Sequence, residues 1–230
     1  MTQTTVHPSK KVIFISRGLS PHNAVLLKLQ AAGHEVIGES LIRISRIRFT
    51  HTPPSKWIFF SSKNAIKHFF EQNPEIGADV KFGVMSRSSA EFLMTYGKQA
   101  DFIGEGVDTT QIAKDFAVCV KDETVLLPQA IDSLQTIQKQ LSFTNNCFNL
   151  FVYKTTLRTD FEIPPANVLV FTSPSNVQAY YEKYKADDSQ KVIAMGTTTA
   201  ARLKAYSIKE ILMPAVFTEE GLLELVYNLN

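Results

Sequence analysis

The chain alternates short apolar runs with stretches in which apolar positions recur every three or four residues. "KKVIFIS" (10–16) is rich in β-branched residues and bounded by polar ones, and reads as a buried strand. Ser20 and Pro21 then read as the N-cap and first-turn proline of a helix. Val25, Leu26 and Leu29 form its apolar face, and Gly33 its end. "EVIG" (35–38) is a second strand. "WIFF" (57–60) and "VLVF" (168–171) are further apolar runs that stop at hydroxyl clusters and lead into helical spacing. From Thr124, "TVLLP" reads as a strand, followed by Ile131, Leu134, Ile137 and Leu141 at helical spacing. Strands alternating with helices imply parallel sheets and an α/β fold.

The pattern repeats within the chain. Phe60 falls on Phe171 and Pro53-Pro54 on Pro164-Pro165, an offset of 171 − 60 = 111. "KFGVMSRSSAEFLMTY" (81–96) falls on "KVIAMGTTTAARLKAY" (191–206), an offset of 191 − 81 = 110. The unit from Val12 has a weaker counterpart from about Thr124. This period is too long for a solenoid, whose repeats run about 20–50 residues. The expectation is two similar α/β lobes, each a parallel sheet flanked by helices, arising from an internal duplication, with a cleft between them. The proline-bearing stretches 48–56 and 160–167 are the expected crossovers.

Composition narrows the function classes. With 24 basic and 22 acidic residues the net charge is +2, and no basic stripe marks a nucleic-acid partner. Cys119 and Cys147 form neither a CxxC nor a zinc spacing, and the five histidines are scattered, so no metal site is expected. "MTQTTVHPSKK" has no apolar segment of the signal-peptide kind, and no run is long enough to span a membrane. A cytoplasmic setting is the expectation. Nucleotide loops of the GxxxxGK[ST] and GxGxxG types and the GxSxG elbow are missing, so no cofactor is expected.

Four expected strand-to-helix junctions carry small hydroxyl residues: Ser61-Ser62, Ser86 to Ser89, Thr172 to Ser175, and Thr197 to Thr199. N-capping accounts for one hydroxyl per junction. It does not account for three in a row in "GTTTA". In an open parallel sheet these junctions share the carboxyl edge, where ligands bind and helix N-termini present free N–H groups to anions. The pattern suits a large polyanion.

Together these pieces resemble the uroporphyrinogen-III synthase family. The matching segments are "VIFISRG", "FFSSKNAI", "VYKT", "VFTSPSNV", "MGTTTAARL" and "FTEEGLLELV", in family order from about 11 to 226. The resemblance implies a discontinuous lobe of 1–43 plus 158–230 and a second lobe of 44–157. It implies cyclisation of hydroxymethylbilane, a linear tetrapyrrole with eight carboxylates, with loss of water and inversion of ring D. The implied protein is a monomer without cofactor or metal, in transient contact with the upstream enzyme that makes the bilane. Tyr153, in "VYKT", matches the family's tyrosine and is the implied catalytic residue; its counterpart in the duplicated register is Ile42. Thr199 matches the family's threonine, with Ser89 as its duplicate; each is also a candidate N-cap. Arg17, Ser61, Ser62, Lys154, Thr172, Ser173, Ser175, Thr197 and Thr198 complete the implied substrate-binding set. Lys63, Arg87 and Arg158 are further cations for the carboxylates. Ser86, where a glycine is common, and 126–134, which lacks a Gly/Arg pattern, depart from the family. The competing readings are a non-catalytic bilobal ligand-binding protein or inactive synthase homologue, and a flavodoxin-like module. The last is disfavoured by the duplication and by the lack of an acidic cluster after the first strand.

Overall fold

A computed structural model describes residues 10–106, 108–141 and 147–229. Most of the N-terminal stretch weighed as a leader lies outside these. The chain divides into two compact units, one of Met1–Arg43 with Thr156–Asn230 and one of Ile44–Thr155. The changeovers fall inside two strands, between Arg43 and Ile44 and between Thr155 and Thr156, and not at the proline-bearing stretches.

The first unit is built on a parallel sheet of β1 (Val12–Ile15), β2 (Glu35–Gly38), β9 (Val168–Phe171), β10 (Lys191–Ala194) and β11 (Ile211–Leu212). Their spatial order is β11-β10-β9-β1-β2, so the early strand β1 pairs with the late strand β9, Ile13 against Val168. Alternation along β1 explains why it is buried on both faces. Ile13 and Ile15 pack under α1 (Ala24–Ala31) and α8 (Glu219–Tyr227), with Val25, Leu29, Leu222 and Val226. Phe14 points the other way, toward α6 (Pro174–Lys183) and α7 (Thr197–Ala205), with Val177, Tyr180 and Leu203.

The second unit repeats this plan. Its sheet has the order β3-β8-β7-β4-β5-β6, built from β3 (Ile42–Arg46), β4 (Trp57–Phe60), β5 (Lys81–Val84), β6 (Phe102–Ile103), β7 (Val125–Ala130) and β8 (Cys147–Leu157). Pairs among β4 to β8 are parallel. The bonds Ile47 N to Val152 O and Arg158 N to Leu41 O lead β3 antiparallel along β8. Ile58 and Phe60 face α2 (Lys63–Phe70) and α3 (Arg87–Met94); Trp57 and Phe59 face α4 (Thr109–Val120) and α5 (Thr136–Leu141).

Two helices differ from the sequence expectation. The first helix starts at Ala24, capped by Asn23, whose side chain accepts from Leu26 N at 3.1 Å. Ser20 instead closes a turn, its carbonyl accepting from Asn23 N at 2.9 Å. Proline pre-sets a turn as well as a helix start, so the Ser-Pro signal is shared by both. Gly33 does end the helix, at φ 87°. After β7 only Thr136–Leu141 is helical: Ile137 and Leu141 are buried, while Ile131 and Leu134 are exposed in the preceding turn. Helical spacing over four residues was too short a sample there.

The pairing of β1 and β2 with β9 carries a consequence for fragments. Residues 1–43 hold one helix and two strands of the five-strand sheet, too little to bury both faces. A 1–43 fragment is expected to show no cooperative thermal transition by circular dichroism. A sharp transition from that fragment alone would contradict the interdependence of the early and late strands.

Candidate functional site

In each unit the parallel strands end at junctions that the sequence marks with hydroxyls. Ser62 caps α2, its Oγ accepting from Ala65 N at 3.1 Å. Ser86 caps α3, accepting from Ser89 N at 3.3 Å, and its Oγ lies 3.1 Å from the Ser89 hydroxyl. Ser173 caps α6, accepting from Asn176 N at 3.3 Å and from Asn176 Nδ2 at 2.8 Å. The fourth junction differs: α7 begins after Gly196, with no side-chain cap. Ser89 and Thr199 are therefore not N-caps, as the sequence allowed. Each is the third residue of its helix, turned inward, 5% and 2% exposed. Capping explains one hydroxyl at three junctions and none at the "GTTTA" junction.

The remaining hydroxyls differ in setting. Ser61, Thr197 and Thr198 are exposed, whereas Thr172 and Ser175 are half-buried. Thr172 is fixed by a residue the sequence reading missed, Ser16 at the end of β1. Thr172 N donates to Ser16 Oγ at 2.9 Å, and Thr172 Oγ1 donates to Ser16 O at 3.0 Å. Ser16 is fully buried. Its position just past "VIFI" matches that of Ser61 past "WIFF", which is the signal that could have found it. Asn176 was missed as well; its Oδ1 accepts from Leu41 N at 2.8 Å and ties the chain after β2 to α6.

Tyr153 lies near the end of the parallel part of β8, paired in register with Ala130 of β7 across an irregularity. It is 9% exposed, and its hydroxyl is 3.2 Å from Ser62 Oγ, so the structure joins two expected site residues 91 positions apart. Burial raises the phenol above its ordinary range, the Ser62 hydrogen bond lowers it, and Asp132 raises it. The phenol is thus protonated at neutral pH.

His68 of α2 packs beside this phenol, ring centroids 5.6 Å apart and ring planes at 33°. Among five scattered histidines, nothing in the sequence singles it out. It is 9% exposed, and its buried Nδ1 has no hydrogen-bond partner among the described residues; Glu71 Oε2 is 3.8 Å away. Leaving such an atom unsatisfied costs about 1–3 kcal/mol.

The expected cations are not equally available. Arg17 pairs with Glu219 in the first turn of α8. Arg158 is held by Glu39 at 2.8 Å and Asp160 at 2.9 Å. Lys154, Lys63 and Arg87 are exposed, and no ion pair engages them among the described residues. Lys63 and Arg87 open α2 and α3, beside the hydroxyl junctions. Among the described residues no group of three or more His, Cys, Asp or Glu is placed to hold a metal ion. Among them, too, no helix is long and apolar enough to cross a membrane. A cavity of about 620 Å³ lies at the other end of the second unit's sheet, lined by Phe49, His51, Ile58, Glu75 and Leu126, and contains none of the expected site residues.

A comparison with known proteins meets this arrangement. A curated relative, uroporphyrinogen-III synthase of Chlorobaculum parvum, is 24% identical over 188 residues, covering 70% of this chain and 74% of its own length. A crystal structure of uroporphyrinogen-III synthetase from Helicobacter pylori shares the fold with a TM-score of 0.72 at 17% identity, covering 96% of this chain and all of that one. A mutant uroporphyrinogen III synthase from the extremely thermophilic bacterium Thermus thermophilus shares it with a TM-score of 0.59 at 12% identity, over 95% of this chain and 97% of that one. The family model described as uroporphyrinogen-III synthase HemD matches residues 24–224. A match over that much of the 230 residues means that the chain belongs to the uroporphyrinogen-III synthase family.

Proposed function

We propose that this chain cyclises hydroxymethylbilane to uroporphyrinogen III, with Tyr153 as proton donor to the departing hydroxyl. The observation that carries the assignment is the contact of Tyr153 with Ser62. Ser62 Oγ accepts from Ala65 N, so its own proton is free for the phenol oxygen at 3.2 Å. A hydroxyl donating to that oxygen stabilises the phenolate and leaves the phenol proton for the substrate. The pyrrole nitrogen expels the hydroxyl as the C–O bond breaks, and Tyr153 supplies the proton that makes it water. The azafulvene is attacked by the far ring; the spiro intermediate fragments and recloses with ring D inverted. The ring releases a proton as it regains aromaticity, which restores the phenol. The electrons come from the pyrrole, so the chemistry needs no redox cofactor.

Without enzyme the bilane closes uninverted to the I isomer, so most of the protein's task is to hold one folded conformation of the chain. Its carboxylates would meet Thr197, Thr198, Ser61, Thr172, Ser173 and Ser175, with Lys154 and Arg17 as cations, while the buried Ser89 and Thr199 would shape their junctions from the inner side. Arg17 would have to share its charge with Glu219. The reading has a monomer acting in the cytoplasm, receiving the bilane in transient contact with the enzyme that makes it.

The uncapped start of α7 offers a sensitive check. A Cβ at Gly196 has nothing within 4 Å among the described residues, so Gly196→Ser fits and can cap α7 as Ser86 caps α3. A serine cap in place of glycine is worth only a few tenths of a kcal/mol. Its competition for the first-turn N–H groups is expected to raise KM several-fold at unchanged kcat. An unaltered KM in a folded variant would remove α7 from the carboxylate contacts. The reading as a whole is tested by the rate of hydroxymethylbilane consumption before and after exhaustive chelation. The expected rate exceeds the uncatalysed one and survives chelation. A rate at background overturns the function, and loss restored by one metal overturns the mechanism.

A further inference from the structure

We propose that His68 is a positioning residue for Tyr153: its imidazole backs the phenol ring and holds the hydroxyl on Ser62. This rests on the assignment of Tyr153 above and extends it to a residue that motif matching did not single out. Three observations converge. The imidazole lies against the phenol, with centroids 5.6 Å apart. Tyr153 in turn reaches the cap of the helix that carries His68, through the 3.2 Å contact to Ser62. The imidazole's Nδ1 is buried without a hydrogen-bond partner among the described residues, on a helix whose other inward residues are Ala65, Ile66 and Phe69. An apolar side chain would fill that space without a stranded nitrogen. A flat, stackable ring that can also be switched by protonation is what histidine adds.

The charges around His68 fix the direction of that switch. At the C-cap of α2, Glu71 Oε2 lies 3.8 Å from Nδ1, and Lys67 precedes His68 on the helix; from β3, Arg46 reaches Glu71 at 2.8 Å; from β8 comes Tyr153. Tyr153 itself sits in a hydrophobic cluster with Phe60 of β4, Leu126 of β7 and Leu93 of α3. Burial, the largest influence, pushes the imidazole below its ordinary range near about 6.5, so it is neutral at pH 7. As pH falls through that lowered value, the ring gains a charge that Glu71 attracts and the phenol's apolar surroundings disfavour. Positioning is then lost, giving an acid limb in kcat.

Full-length His68→Ala, His68→Phe and His68→Gln variants test this. The readouts are kcat, KM, their pH profiles and the ultraviolet titration of the Tyr153 phenol, taken as the difference from the matching Tyr153→Phe protein. His68→Ala is expected to lower kcat about tenfold with KM within about twofold, and to bring the phenol down toward its ordinary pKa as water reaches it. His68→Phe keeps an aromatic face but cannot titrate, so it should retain most of kcat and lose the acid limb. His68→Gln should lose the limb and part of kcat. Parental kcat and phenol titration in His68→Ala, or an undiminished acid limb in His68→Phe, would overturn the proposal. If His68→Ala does not fold, the His68→Phe profile decides. If the parent protein turns nothing over, the function falls while the phenol titration still decides the positioning.

Discussion

Tyr153→Phe is expected to lower kcat by about 10²–10⁴-fold, the usual loss when one positioned proton donor is removed. The ring stays, and with it the packing against His68 and the cluster of Phe60, Leu126 and Val152. Only the hydroxyl goes, leaving Ser62 as the cap of α2. The fold, followed by circular dichroism, and KM should therefore change little. Because the pyrrole nitrogen already drives the hydroxyl out, the loss is expected toward the lower end of the range. Turnover at the parental rate in folded Tyr153→Phe would remove the tyrosine from the mechanism while leaving the family membership untouched.

The largest effect on stability is expected from Phe59→Ala. Phe59 is 1% exposed in β4, two residues before the Ser61-Ser62 junction. Its ring lies 4.4 Å from the Phe116 ring of α4 and 6.3 Å from that of Phe102. Beside it, its partner in β5 is a glycine: a Cβ at Gly83 would come 2.6 Å from Phe59 Cδ2 and 3.0 Å from Phe116 Cε2. The sheet has therefore given up a side chain on β5 to admit this ring. Truncation removes the ring from a site shaped around it, and such losses cost about 3–5 kcal/mol. Urea unfolding is the measurement. A shift below about 1 kcal/mol would mean that the core closes over the gap and that Phe59 does not brace the junction as described.

What could be read from the chain and what could not divide along physical lines. The strands at Val12, Trp57 and Val168 were legible because parallel strands buried on both faces are continuous apolar runs. The repeat was legible because equivalent strands and helices keep their spacing: Lys81 and Lys191 each open a strand, and Ser89 and Thr199 occupy the same turn. The helix α4 escaped notice although Asp108 caps it, accepting from Thr110 N at 2.9 Å. Contacts between distant segments left no local trace. Nothing in "SSKNAIKHFF" announces that Ser62 and His68 meet a tyrosine on β8, since only strand register brings them together. Arg17 showed the opposite failure. Its motif position was visible, but its pairing with Glu219, 202 residues away, was not.

The central claim is that the chain imposes ring inversion on a substrate that closes uninverted by itself. The direct measurement is the ratio of III to I isomers formed over time from fresh hydroxymethylbilane, with and without the protein. The account predicts predominantly the III isomer, formed faster than the background, with the I isomer rising only as protein is diluted. Formation of the I isomer alone, at the uncatalysed rate, would contradict it and leave a ligand-binding protein on the same fold.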